Sequence, residues 1–195
     1  KKVSNSGARQ TRTFKKLCAV QFLFFPTLMT IPLHIAVHGI DLGMAFAQAS
    51  FLLTTIGASS IVGRLVVGFF LDLMGCRNAY FICFIPILIS LVGLLCFTNH
   101  SFLFFFMAIY GFGHGGLFAV VSPTVAGYFG IQEHGALFGT ILFFGTISGA
   151  VGPVLTGYAF DHFGDYNAAF TVLAVLIAIG LALVMTLPKW QPAEP

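Results

Sequence analysis

Gly63-Arg-Leu-Val-Val-Gly68-Phe-Phe-Leu-Asp72-Leu-Met-Gly75-Cys-Arg77-Asn78-Ala79-Tyr-Phe81 aligns without gaps to Gly152-Pro153-Val-Leu-Thr-Gly157-Tyr-Ala-Phe-Asp161-His-Phe-Gly164-Asp-Tyr-Asn167-Ala168-Ala-Phe170. Seven of the nineteen positions are identical, and each pair is 89 residues apart. The shared skeleton is Gly-x4-Gly-x3-Asp-x2-Gly, followed by Asn, Ala and Phe. A repeat on this scale decides architecture before any single helix is placed. It reads the chain as one unit written twice.

The surrounding composition says what kind of unit. The 195 residues are 58% hydrophobic and only 8% charged, with a mean hydropathy of +0.97 and 24 Phe. An ordinary soluble domain carries about 25% charged residues, and fewer cannot cover a water-facing surface. The balance excludes a nucleic-acid-binding module, a disordered tail, a coiled coil and a secreted disulfide scaffold. A hydrocarbon core takes roughly 20 apolar residues per helical crossing. Six such runs are expected, at about 17–39, 46–71, 79–97, 101–123, 135–158 and 167–187. The expectation is an all-α membrane protein with a basic linker at 1–16, a six-helix bundle at 17–187 and a short tail at 188–195. Cys18, Cys76, Cys83 and Cys96 lie on or beside these runs with no Cys-x-x-Cys spacing, and read as apolar fillers.

Charge sets the orientation. Six of the nine basic residues (Lys1, Lys2, Arg9, Arg12, Lys15, Lys16) precede the first apolar run. No short apolar segment with a small-residue cleavage site follows them, so they do not read as a signal peptide. The run suits contact with anionic lipid as well as topology. With this stretch in the cytoplasm, Arg77 and Lys189 also fall inside, Arg64 lies in the inner half of helix two, and the outer loops carry no Lys or Arg. The positive-inside rule is then obeyed throughout, with both ends cytoplasmic in a plasma membrane. One copy of the repeated stretch faces inward and the other outward. The chain is thus two three-helix units of opposite orientation, an arrangement built into many secondary transporters. The paired glycines, Gly63 with Gly68 and Gly152 with Gly157, are expected to let helices approach closely. Asp72 and Asp161 are expected in loops, each ahead of the next helix, where a carboxylate complements the positive end of the dipole.

Gly68-x3-Asp72-x2-Gly75-x-Arg77 resembles the signature loop of the major facilitator superfamily, departing from it at Leu73 and Cys76, where basic residues are usual. That superfamily is built of two six-helix halves. The resemblance implies that this chain is the C-terminal half, that residues 1–16 belong to the linker between halves, and that an N-terminal half is its partner. Leu42-Gly43-Met44, Gly63-Arg64-Leu65-Val66-Val67-Gly68, Tyr110-Gly111-Phe112-Gly113-His114-Gly115-Gly116 and Gly152-Pro153-x3-Gly157-x3-Asp161-x2-Gly164-x-Tyr166 resemble the monocarboxylate-transporter-like and oxalate/formate-antiporter branch. The implied function is secondary active transport of a small organic anion, such as a monocarboxylate, by alternating access. The alternatives are another small solute (a drug, sugar or amino acid) or an orphan half that transports nothing.

Arg64 is the one full charge inside an expected span. It lies roughly 12 Å along its helix from Asp72. A central Arg costs about 2.5–3.5 kcal/mol on insertion scales, so it should face a cavity or a partner. Gly57, Ser60, Arg64 and Gly68 fall on one stripe. A guanidinium suits a bidentate grip on a carboxylate. In the resembled branch, an Arg of the equivalent helix binds the substrate carboxylate, a role implied for Arg64. The animal monocarboxylate carriers place an Asp where this chain has Ser60, and the oxalate/formate branch adds a Lys in helix five that is absent here. Monovalent anions are therefore the better fit. The other reading of Arg64 is a side chain reaching inward to helix-end carbonyls.

His114, among glycines at a depth similar to Arg64, reads either as a titratable group in a coupled cycle or as a packed core histidine. His34 and His38 are one turn apart, a spacing that can bind metal, but no third ligand is fixed nearby. They read as interface histidines or as an outer vestibule; the candidate substrate-binding set is Arg64, His114, Ser60 and His34. The gating set is Gly63, Gly68, Asp72, Gly75, Arg77, Gly152, Pro153, Gly157, Asp161 and Gly164. Pro26, Pro32 and Pro123 are expected to kink or end their helices. No acidic residue lies deep in a span, and no phosphate-binding loop, nucleophile elbow or zinc motif is present, so the chain does not read as an enzyme and implies no cofactor.

Overall fold

The structure, a computed structural model, describes residues 5–189, so Lys1, Lys2 and the end of the tail lie outside the described residues. It is all-helical: α1 (Asn5–Gln10), α2 (Arg12–Asp41), α3 (Phe46–Met74), α4 (Cys76–Cys96), α5 (His100–Phe129), α6 (His134–Phe163) and α7 (Asn167–Met185). α2 to α7 are each long and apolar enough to cross a membrane. A lipid environment offers no hydrogen bonds to an open backbone, so each segment stays helical across the full apolar thickness.

The helices run past several expected ends. α2 starts at Arg12, where Thr11 caps it by accepting from the Phe14 N–H at 3.2 Å. α2 continues through Pro26 and Pro32, and α5 through Pro123. The loop expected at 72–78 shrinks to Gly75, whose φ of 76° reverses the chain between α3 and α4. Gly164 does the same after α6, also at φ 76°. In both copies the glycine N–H donates at 2.8 Å to the carbonyl four residues back, Leu71 or Phe160. Asp72 and Asp161 are corrected accordingly. Both lie exposed in the last turns of α3 and α6, not ahead of the next helix. α4 begins with no side-chain cap. For α7 it is Asp165 that accepts from the Asn167 N–H, at 2.9 Å.

Packing exchanges the two units. α3 and α4 of the first lie mainly on α5 of the second, while α6 and α7 of the second lie on α2 of the first, and α4 meets α7. α2 and α5 are thus the most covered helices, each flanked mainly by the other unit's helices. Without water to drive association, close approach depends on small residues. At the α3–α5 crossing a Cβ on Gly63 would overlap the Phe112 carbonyl, one on Gly115 the Ser60 carbonyl, and one on Gly111 would come within 2.6 Å of the Ile56 oxygen. A Cβ on Gly152 would come within 2.9 Å of Pro26 and Thr30 of α2. Gly68 departs from expectation: no neighbour lies within 4 Å of its Cβ position, and Gly157 has only His34 at 3.9 Å. Gly68 lies on the face of α3 that this bundle leaves uncovered, beside exposed Leu65 and Phe69.

Candidate functional site

The α3–α5 crossing brings three of the four expected substrate-binding residues together. Ser60 and His114 sit at the middle of their helices, and backbone contact through Gly63, Gly111 and Gly115 brings the two side chains within reach. Ser60 Oγ and His114 Nδ1 are 3.3 Å apart, with Ser60 6% exposed. One turn along α3, the Arg64 guanidinium lies over the Phe118 ring, 5.3 Å from its centroid. Phe118 follows His114 by one turn of α5, and the two rings pack edge to face at 5.1 Å. On the other side of His114 stands Tyr110, whose hydroxyl donates to the Thr27 carbonyl at 3.0 Å and ties α5 to α2.

Arg64 is exposed from this bundle, and no carboxylate pairs with it among the described residues. Its apolar stem leaves the helix between exposed Ile61 and Leu65. A cation held against an aromatic face keeps its hydrogen-bond donors free at the edge of the guanidinium plane. Three different functions are thus set side by side: a positive charge with open donors, an imidazole–hydroxyl pair, and an aromatic wall. Together they can grip a small anion through its charged end and cover its apolar part. The expected stripe on α3 is split: Gly57, Arg64 and Gly68 face outward, while Ser60 turns into the crossing.

His34 is not part of this cluster. It sits towards the end of the bundle remote from the basic termini, with Nε2 3.2 Å from the Pro153 carbonyl and Nδ1 3.4 Å from the Tyr166 hydroxyl. A carbonyl only accepts, so Nε2 carries the hydrogen, and in that tautomer Nδ1 receives the Tyr166 O–H. His38, one turn on, packs edge to face against Tyr166 and Phe170. Burial, with the carboxylates of Asp41 and Asp161, holds the Tyr166 phenol above its usual value, which keeps it a donor. His34 therefore ties α2 to α6 and to the turn before α7. Among the described residues no cluster of three or more metal-ligating side chains forms around it.

The residues expected to gate are scattered over the helix crossings, the two reversals and, for Gly68, an open helix face. Gly63 and Gly152 are in helix crossings. Asp72, Gly75 and Arg77 surround the α3–α4 reversal, and Asp161 and Gly164 the α6–α7 reversal. Pro153 offers its carbonyl to His34. Sequence reasoning missed Phe118 and Tyr110; the available signal was their spacing of four residues on either side of His114, which puts all three on one face of α5.

Comparison with known proteins agrees with this architecture. The sequence profile of the Major Facilitator Superfamily matches residues 17–195. The chain is 33% identical over 175 residues to human monocarboxylate transporter 7, covering 86% of this chain and 32% of that protein. It is 25% identical over 187 residues to monocarboxylate transporter 12 of Xenopus laevis, covering 90% and 40%. It is 27% identical over 187 residues to the aspyridones efflux protein apdF of Emericella nidulans, covering 90% and 37%. The crystal structure of a variant of the E. coli fucose:proton symporter FucP superposes with a TM-score of 0.70 at 14% identity, over 96% of this chain and 47% of that one. This chain therefore spans less than half the length of each of these proteins. With the profile, the two inverted units and six membrane-length helices all in agreement, the chain belongs to the Major Facilitator Superfamily.

Proposed function

We propose that this chain is the C-terminal six-helix half of a secondary transporter that moves a small organic anion, a monocarboxylate, by alternating access. The observation that carries the reading is Arg64, held over Phe118 beside the His114–Ser60 pair at mid-helix and open on the side where α3 has no neighbour. A carboxylate there would take two parallel hydrogen bonds from the guanidinium, with Phe118 against its hydrocarbon part. His114, beside Ser60 and the Arg64 guanidinium, would take up a coupled proton only once a bound anion offsets the Arg64 charge.

An N-terminal half is the expected partner. The uncovered faces of α3 and α6 carry Leu65, Phe69, Val154 and Leu155 exposed, together with the open Gly57 and Gly68. Rocking of the two halves would expose Arg64 to one side and then the other, with the Gly75 and Gly164 reversals at opposite ends acting as gates. The basic residues at 1–16, Arg77 and Lys189 favour a plasma membrane orientation with both termini cytoplasmic. A second reading, export of a larger solute, draws support from the efflux-protein relative and from the apolar surroundings of Arg64. An orphan half that transports nothing is the third.

Uptake of labelled lactate, pyruvate, formate and acetate by vesicles holding the intact protein tests this, compared with Arg64→Ala. Saturable uptake lost in the variant supports the anion reading. Uptake that survives removes Arg64 from the site, and no uptake of any of the four favours one of the other two readings.

A further inference from the structure

At the end of the bundle that carries the basic residues, two adjoining clefts open between α4 and α7. One, about 270 Å³, is lined by Met74, Gly75, Arg77, Asn78 and Lys189. The other, about 260 Å³, is lined by Arg77, Asn78, Phe81, Val184 and Met185. They share Arg77 and Asn78, so polar and apolar walls follow one another along a single groove. Arg77 and Asn78 belong to the first turn of α4 and Phe81 to the next turn, deeper in the span. Met185 ends α7 opposite, and Lys189 follows it at the rim. No carboxylate lines either cleft.

The rim is held in place rather than hanging free. Tyr128 donates its hydroxyl to the Pro188 carbonyl at 2.6 Å, directly before Lys189. Lys16 donates to the Thr186 carbonyl at 2.9 Å, bringing a third cation to the same corner. Leu187, between these anchors, is 2% exposed. Phe81 and Met185 instead turn outward, 39% and 60% exposed, on helices long enough to cross a membrane. Two cations at the end of the bundle and an apolar trough one turn deeper follow the order of a phospholipid: phosphate, then acyl chain. Arg pairs with phosphate oxygens bidentately, and basic pockets between membrane helices suit anionic head groups.

We propose that this groove binds one anionic phospholipid of the adjoining leaflet, with its phosphate between Arg77 and Lys189 and one acyl chain along Phe81 and Met185. The site lies away from Arg64 and stands whether or not the transported solute is a carboxylate.

Native mass spectrometry of the intact protein, titrated with phosphatidylglycerol or with phosphatidylcholine, tests it. The expected result is one phosphatidylglycerol bound ahead of all others, with affinity falling about 10- to 30-fold in the Arg77→Gln/Lys189→Gln double variant. Phosphatidylcholine binding should be the same in both proteins. Met185→Trp, which fills the trough and keeps both cations, should weaken phosphatidylglycerol on its own and serves if the double variant does not fold. Inorganic phosphate in excess should leave the bound lipid in place. Phosphatidylglycerol binding unchanged in either folded variant, or displacement by phosphate alone, would overturn the proposal.

Discussion

The two central crossings, α3 on α5 and α6 on α2, occupy equivalent positions in the repeat and carry different chemistry. Shifting by the repeat offset of 89 residues turns Ser60, Arg64, His114 and Phe118 into Gly149, Pro153, Phe25 and Met29. The contacts follow the same shift. Ser60 meets His114 in one crossing, and in the other a Cβ on Gly149 would meet Phe25 at 2.6 Å and Met29 at 3.0 Å. A hydroxyl, an imidazole and a guanidinium on one side correspond to a glycine, a phenyl ring and a proline on the other. The geometry occurs twice, and a charged side chain stands beside an imidazole only in the α3–α5 copy. The backbones differ too. At α3–α5 the carbonyls of Ser60 and Phe112 leave no room for a Cβ on Gly115 or Gly63, whereas Gly145 and Gly149 meet side chains of Gln21 and Phe25, which can move. Gln21, 1% exposed with neither amide atom hydrogen-bonded among the described residues, marks the second crossing as the less settled of the two.

That contrast can be broken by mutation. Gly115→Ala should give the largest loss of stability, because the new methyl group meets backbone: about 1–3 kcal/mol, read as a lower unfolding temperature of the intact protein. Gly149→Ala should cost less than Gly115→Ala in the same assay, since Phe25 and Met29 can shift. Equal losses would remove the distinction between the crossings. Phe118→Ala should weaken the hold on Arg64 by about 0.5–1 kcal/mol, raising the KM for a transported anion a few-fold with kcat nearly kept. Met29→Ala, its repeat counterpart, should leave that KM unchanged. The smallest effect is expected of Tyr166→Phe, which removes only a 3.4 Å hydrogen bond to His34: at most about 1 kcal/mol, seen as faster amide hydrogen exchange around the α6–α7 turn and not as lost transport.

Most of the fold was legible because lipid simplifies the code. Long apolar runs gave six helices, and the repeated Gly-x4-Gly-x3-Asp-x2-Gly gave their pairing into two inverted units. The helix ends were less legible. Asp72 and Asp161 look like loop residues by type, but a helix in this setting runs on until a glycine reverses it, and Gly75 and Gly164 come three residues later. Arg64 stood out as the lone charge within a span, and Ser60 and His114 followed from spacing and depth. Phe118 did not stand out because it is one of 24 phenylalanines, and nothing but its contact with Arg64 separates it from those that face lipid. His34 was assigned to the site by its chemistry, whereas its position is fixed by Pro153 and Tyr166, partners 119 and 132 residues away in sequence.

Whether the α3–α5 crossing holds the anion and its α2–α6 counterpart does not is open to a direct measurement. It is equilibrium binding of a labelled monocarboxylate to the purified intact protein, comparing Arg64→Gln with Pro153→Ala, the same position in the two copies. Arg64→Gln should weaken binding at least about tenfold, the scale of one charge-assisted pair, while Pro153→Ala should leave it near its original value. Unchanged binding in Arg64→Gln, or an equal loss in both variants, would contradict the assignment of the anion to the α3–α5 crossing.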